Sequence, residues 1–113
     1  MVQVFLIDDY PHMIAAILNP MWSVYMIRCG DQSLYTGISN NVEKRFAVHQ
    51  SNSPKSAKYL RSRHPLQLVY QAEIGSRSEA SRVEVLMKKL PKHSKEALVT
   101  GMLQLSDAVE LKR

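Results

Sequence analysis

Two short segments rich in β-branched and aromatic residues flank a turn, and they constrain the fold more than any other feature. Residues 23–27 read SVYMI, residues 35–38 read YTGI, and the turn CGDQ at 29–32 lies between them. This pattern predicts a β-hairpin. Side chains alternate between the two faces of a strand, so a loop with an odd number of residues places Tyr25 and Tyr35 on the same face.

Charge and cysteine content narrow the class of protein. The chain has 113 residues, a net charge of +5 and one cysteine, Cys29, which predicts a single domain in a reducing, cytoplasmic compartment. A basic domain favours nucleic acid over an acidic membrane, although a solvated basic surface has equal weight from charge alone. The apolar runs at 2–7 and 12–18 are too short to span a bilayer, so we expect no membrane association.

Changes in composition divide the chain into three parts. Residues 1–20 contain two aspartates and no lysine or arginine, and we interpret them as an N-terminal extension of uncertain role. Residues 21–100 carry the hairpin and the other patterned segments, so they form the folded domain. Residues 101–113 are predicted to form a C-terminal helical tail.

The remaining periodicity predicts the elements that follow the hairpin. Asn40 or Asn41 caps a helix over 42–50, and the basic segment 55–63 forms a short helix and loop. Residues 66–74 alternate as a strand, with one face made by Leu66, Leu68, Tyr70, Ala72 and Ile74. A capping box at Ser76 and Glu79 opens a helix to about residue 90, and another helix covers 92–99.

These elements predict an α/β (α+β) fold. Its small three-stranded, mainly antiparallel β-sheet is packed with helices in the order β-β-α-α-β-α.

Two helices place charged side chains beside apolar ones. In the helix over 42–50, Arg45 and His49 lie on the arc that also contains Phe46, so Arg45 borders the core. An arginine at the border of the core forms an ion pair either with a carboxylate of the protein or with an anion that binds from outside. Glu84 projects from the apolar stripe of its own helix, which predicts either an ion pair with Arg45 or a divalent-metal ligand.

The ordered set of residues resembles the GIY-YIG nuclease family. Residues 23–25 (SVY) stand for Gly-Ile-Tyr and residues 35–37 (YTG) for Tyr-Ile-Gly, followed by Arg45, His49 and Glu84. The match covers about residues 22–99 and is nearest to the small bacterial single-domain (YhbQ-like) group. The resemblance implies an endonuclease that hydrolyses DNA phosphodiester bonds with magnesium, or manganese, as cofactor.

The resemblance also implies a role for each matched residue. Tyr35 activates the attacking water and Tyr25 positions that water or the phosphate. Arg45 clamps the phosphate, and Glu84 holds the metal. His49 completes the catalytic set. Tyr35 acts as a base only if its pKa falls well below about 10, and we expect Arg45 and a basic neighbour, Lys44 or His49, to favour that fall.

A basic surface is predicted to hold the DNA backbone, with an aromatic ring that stacks on a base. Its residues are Lys44, Lys55, Lys58, Tyr59, Arg61 and Arg63. Nothing here indicates base-specific contacts, so we expect cleavage of weak sequence specificity, or cleavage directed by a protein partner. Flaps, junctions or damaged strands are the expected substrates, in DNA repair or processing.

The chain departs from the family pattern in ways that bear on activity. Ser23 replaces the first glycine, and no asparagine follows Asn52, although many active members place one after the metal-binding glutamate. A lysine at 88, 89, 92 or 95 would have to substitute for it. Two alternatives therefore stay open: a catalytically inactive nucleic-acid-binding module, and an interaction domain with a buried Arg45–Glu84 ion pair.

Overall fold

The computed structural model describes residues 21–110, so the predicted extension and the last three residues of the tail lie outside it. The sheet contains β1 (Trp22–Arg28), β2 (Leu34–Ser39) and β3 (Gln67–Gly75). The helices are α1 (Val42–Gln50), α2 (Arg77–Lys88), α3 (Lys92–Thr100) and α4 (Leu105–Ala108), with a 3-10 turn at Lys58–Leu60. The strand order is β2-β1-β3 and both pairings are antiparallel, which confirms the predicted α+β class.

The hairpin has the predicted form. Arg28 pairs with Leu34, which leaves residues 29–33 as the loop, and Tyr25 pairs with Gly37. The loop is closed by the backbone N–H of Cys29, which donates to the carbonyl oxygen of Ser33 at 2.9 Å. Tyr35 lies two residues before Gly37, so Tyr25 and Tyr35 share a face of the sheet.

The prediction that alternate residues of β3 all lie on one face was wrong. Tyr70 pairs with Met26, but Leu68 pairs with Ile27, so the register shifts and β3 contains an extra residue there. The extra residue shifts the alternation of side chains by one, so residues on either side of the bulge that would share a face point to opposite faces of the sheet. As a result Leu66 and Leu68 pack with Ile27, whereas Tyr70, Ala72 and Ile74 pack on the opposite face.

Short-range signals define the helix ends. Asn41 caps α1 by accepting a hydrogen bond from the N–H of Lys44 at 3.0 Å. Ser76 and Glu79 form the predicted capping box of α2. Pro91 precedes α3, where its fixed backbone angle and missing N–H are tolerated. Within residues 21–110 no helix combines the length and apolarity that a bilayer span requires.

The sheet separates two clusters of buried side chains. The apolar face of the sheet packs on α2, α3 and the tail, and its buried residues are Val24, Met26, Val83, Met87, Leu98 and Val109. The tyrosine face packs on α1 and the 3-10 turn, and its buried hydrophobic residues are Tyr25, Ile27, Cys29, Val42, Leu60 and Leu66. In the described part of the tail, residues 101–110, the single helix α4 is followed by Val109 in the core.

Candidate active site

Tyr25 lies in the central strand, and its ring crosses the neighbouring strand at Gly37. A Cβ atom placed on Gly37 would lie 2.6 Å from the Tyr25 Oη atom. Any side chain at that position would therefore displace the phenol. The glycine of the Tyr-x-Gly segment is explained by this close approach rather than by a special backbone angle.

Tyr25 and His49 form a buried hydrogen bond whose direction can be assigned. The Tyr25 Oη atom lies 2.9 Å from Nε2 of His49. On the other side of the ring, the backbone N–H of Ala57 donates to Nδ1 at 3.3 Å, and the Ser56 hydroxyl lies 3.2 Å from the same nitrogen. Because a backbone N–H can only donate, the neutral ring carries its proton on Nε2 and donates it to Tyr25. The Tyr25 hydroxyl proton is then free for another acceptor.

His49 is neutral at physiological pH. Its side chain is completely buried, and desolvation, reinforced by the charge of Arg45, lowers its pKa to about 4. The expectation that a cationic His49 would lower the pKa of Tyr35 was therefore wrong, because burial prevents the positive charge.

Tyr35 lies at the centre of an aromatic group on the edge strand. Its ring centroid is 6.4 Å from that of Tyr25, 5.9 Å from that of His49 and 6.1 Å from that of Tyr59. Burial raises the pKa of Tyr35, Arg45 lowers it, and Glu84 raises it. Burial also raises the pKa of Tyr25, with further contributions from the charges of Tyr35 and Glu84 and an opposing one from Arg45. Both phenols are therefore protonated at neutral pH.

Arg45 borders the core as its helical position predicts. It is half-buried, and its Nη1 atom donates to the carbonyl oxygen of Lys55 at 2.8 Å. Among the ion pairs of residues 21–110, none joins Arg45 to a carboxylate. This arrangement argues against the alternative of a buried Arg45–Glu84 ion pair and leaves the guanidinium charge beside the two tyrosines.

Glu84 lies on α2 with a side chain that is 21% exposed, and its Oε1 atom is 3.8 Å from Nζ of Lys88. Its charge acts on both Tyr25 and Tyr35, and the charge of Arg45 acts on these two tyrosines and on His49. The five predicted catalytic residues are therefore linked through the two tyrosines. The described residues contain no group of three metal-ligating side chains. A single carboxylate suits magnesium, which keeps most of its water ligands, better than metals that need several protein ligands.

The predicted basic surface is only partly free to contact DNA. Four of its residues are exposed, as expected for contacts with the DNA backbone: Lys44, Lys55, Lys58 and Arg61. Arg63 instead lies over the Tyr59 ring, with its Cζ atom 3.8 Å from the centroid. It also donates to Asp31 at 3.2 Å and to the Tyr59 carbonyl oxygen at 2.8 Å. A base can stack on that face of Tyr59 only after Arg63 moves away.

Three contributions to the site could not be assigned from the sequence. Ser56 and the N–H of Ala57 assign the His49 tautomer, and no local pattern marks them. Lys88 was one of several lysines that could replace the asparagine, and it lies four residues after Glu84 and forms an ion pair with it. Lys95 reaches the neighbourhood of Tyr35 through the packing of α3, which periodicity does not predict.

Comparison with known proteins bears on residues 21–97, which match the family described as the GIY-YIG catalytic domain. A UPF0213 protein of Cronobacter sakazakii is 52% identical over 82 residues, covering 73% of this chain and 84% of that protein. The UPF0213 protein YhbQ of Escherichia coli K12 is 49% identical over 78 residues, covering 69% and 76%. The solution NMR structure of a UPF0213 protein from Bacillus halodurans is 40% identical, covers 71% and 83%, and has a TM-score of 0.45.

Proposed function

Since this chain belongs to the GIY-YIG family, a family of nuclease hydrolases that act on nucleic acid, we propose that it is a magnesium-dependent endonuclease that cleaves DNA with weak sequence specificity. The observation that carries this proposal is the cluster of Tyr25, Tyr35 and His49, with one cation and one carboxylate acting on it. A purely structural cluster has no need of a guanidinium that lies beside two phenols and, among residues 21–110, forms no ion pair with a carboxylate.

The chain's own residues account for phosphate binding. Arg45 is half-buried and free of carboxylate partners among residues 21–110, so its charge is available to a phosphate. The Tyr25 hydroxyl accepts from His49 and can therefore donate its own proton to a non-bridging phosphate oxygen. Neutral His49 acts as a positioning residue, because it holds the phenol in one orientation without adding charge.

Proton removal from water is assigned to Tyr35. Tyr35 must first lose its proton to solvent. The phenolate then accepts a proton from water as that water attacks phosphorus, and the bond to the leaving oxygen breaks as that oxygen takes a proton from solvent. This step needs an ionised phenol, whereas burial and Glu84 raise the pKa of Tyr35. A magnesium ion held by Glu84 would neutralise that carboxylate and supply positive charge to the leaving oxygen. The raised pKa also favours the second candidate, an inactive module that binds nucleic acid.

A nicking assay on supercoiled plasmid and on flap and junction oligonucleotides, with and without magnesium, tests the proposal. Tyr35→Phe and Glu84→Gln should each lower the rate at least about 100-fold, the usual loss when an acid–base or metal-binding group is removed. DNA affinity should stay within a few fold, because lysine and arginine provide the backbone contacts. The thermal midpoint of Glu84→Gln should change little, since its partner Lys88 is largely exposed.

Two matched substitutions serve as controls. Tyr70→Phe removes a hydroxyl from the apolar face, and Glu73→Gln neutralises an exposed carboxylate on β3. Both should leave the cleavage rate unchanged. A folded Glu84→Gln protein that nicks DNA at the wild-type rate would contradict the metal assignment, and wild type that binds without cleaving would favour the inactive module.

A further inference from the structure

A cleft of about 350 Å³ follows the outer edge of β2, next to the candidate active site. It is lined by Leu34, Tyr35, Thr36, Tyr59, Lys88 and Lys95. β2 is one of the two edge strands of the sheet, so part of its backbone is not paired with another strand. Tyr35 is shared between the cleft and the catalytic cluster, so a ligand in the cleft would lie directly beside the reacting groups.

The charged side chains that line the cleft are both lysines. Within the described part of the chain Lys88 forms one long ion pair, with Glu84, 3.8 Å between Nζ and Oε1. Lys95 is half-buried, and within residues 21–110 its ammonium group forms no ion pair. Lys95 therefore has no anionic partner among the described residues, and a bound anion would supply one. The cleft therefore has a net positive charge and suits an anionic ligand.

A buried hydroxyl in the same wall points to a ligand independently of the lysines. Thr36 is 3% exposed, and its Oγ1 atom has no hydrogen-bond partner among the described residues. An unsatisfied buried hydroxyl is unfavourable and rare in folded proteins. Because Thr36 lines the cleft, a small adjustment would allow its hydroxyl to bond to a ligand oxygen.

We propose that this cleft binds the nucleotide next to the scissile phosphate, with its phosphate on Lys88 and Lys95 and its sugar or base against Tyr59. The inference rests on the proposed nuclease function and identifies a second phosphate site of the same substrate. Lys88 connects the two places, because its Nζ atom lies 3.8 Å from Oε1 of Glu84 and it lines the cleft together with Lys95. A strand that places the scissile phosphate near Glu84 therefore brings the adjoining nucleotide into the cleft.

The proposal assigns this chain's replacement for the missing asparagine. The lysines at the end of α2 and in α3 were equivalent in the sequence, but the cleft contains only two of them. Lys89 is exposed and is not among the residues that line the cleft, and Lys92 donates to the carbonyl oxygen of Gln32 at 3.0 Å. Lys88 and Lys95 are therefore expected to contact substrate, whereas Lys89 is a matched lysine outside the cleft.

The test compares Lys95→Gln with Lys89→Gln in binding a fluorescent oligothymidylate in EDTA over a range of salt concentrations. Each lost phosphate contact should lower the slope of log affinity against log salt by about 0.7–0.9. We expect Lys95→Gln to show that change with an affinity about three- to tenfold weaker, and Lys89→Gln to show less than half of either effect. Thermal melts confirm that both variants are folded.

A titration of ¹⁵N-labelled protein with a tetrathymidylate locates the contact. Shifts of the Thr36, Tyr59 and Lys95 amides support the proposal, and shifts confined to other regions overturn it. Equal affinities for the two lysine variants would also overturn it, even if the enzyme cuts DNA. If Lys95→Gln selectively loses oligonucleotide affinity but wild type shows no metal-dependent cleavage, the binding cleft is supported and the proposed nuclease function is contradicted. If wild type binds no oligonucleotide, both proposals fail.

Discussion

The two faces of the sheet are built from the same three strands but bury different kinds of side chain. The apolar face is a continuous hydrophobic cluster against α2 and α3, with Met26 and Met87 fully buried. The tyrosine face buries polar atoms as well, and the Tyr25–His49 hydrogen bond lies at its centre. Apolar burial stabilises at roughly 25 cal/mol per Å², whereas a buried hydrogen bond contributes only about 1 kcal/mol net.

This contrast assigns stability mainly to the apolar face, whereas the proposed chemistry lies on the tyrosine face. The buried polar atoms of His49 are satisfied, so they do not weaken the fold, but they contribute less than a methionine would in the same place. In return they hold one phenol in one orientation beside a guanidinium. Substitutions on the two faces should therefore affect different measurements.

The largest expected effect is on the apolar face. Met87→Ala removes a fully buried side chain and should lower the free energy of unfolding by about 2–5 kcal/mol, through lost transfer energy and a residual cavity. Urea unfolding measures this change. Well below the unfolding transition, the cleavage rate should match wild type. A loss of less than about 1 kcal/mol would break the comparison, because the apolar face would not then dominate stability.

The second effect is a pH dependence that arises on the tyrosine face. The pKa of His49 is about 4 in the folded protein, against 6.5 in the unfolded chain. The unfolded state therefore binds more protons between these values, and stability falls as the pH decreases from 6.5 towards 4, by roughly 3 kcal/mol in total. Urea unfolding at a series of pH values should show this fall in wild type and a much flatter profile in His49→Gln.

Two carboxyl groups also make stability depend on pH, but mainly below the range from pH 6.5 to 4.5. The pKa values of Asp31 and Glu96 are lowered from 3.8 and 4.5, mainly by hydrogen bonds from Ser33 and Arg28 respectively. Their stabilising contributions are complete above the unfolded values and are lost at lower pH. A flat wild-type profile between pH 6.5 and 4.5 would therefore contradict the neutral, buried state of His49.

The smallest expected effect concerns Thr36, a buried polar residue on the apolar face of the sheet. Thr36→Val replaces the unpaired hydroxyl by a methyl group of similar shape and should raise the free energy of unfolding by about 1 kcal/mol. Thr36→Ser keeps the hydroxyl and serves as the control without that gain. If the hydroxyl contacts substrate, Thr36→Val should also weaken oligonucleotide binding about two- to threefold, a small exchange of function for stability. A less stable Thr36→Val protein would indicate that the hydroxyl is satisfied.

Much of the fold could be predicted because the signals are local. β-branched and aromatic segments around a turn indicated the hairpin and the shared face of Tyr25 and Tyr35, and Asn41 and Ser76 marked helix starts that the structure confirms. Helical periodicity placed Arg45 and Glu84 at the border of the core, and the match to the GIY-YIG family is confirmed. The catalytic roles of these residues stay predictions.

The sequence by itself determined which side chains share a face of a helix or of a strand without a bulge, since that depends only on backbone period. Tertiary structure decided the rest. The bulge in β3 reversed the face of Leu66 and Leu68 because two strands had to pair, and burial made His49 neutral. Packing brought Arg63 onto Tyr59, and the approach of α3 to the edge of β2 placed Lys95 beside Tyr35. Protonation and juxtaposition depend on neighbours distant in sequence, which no local pattern encodes.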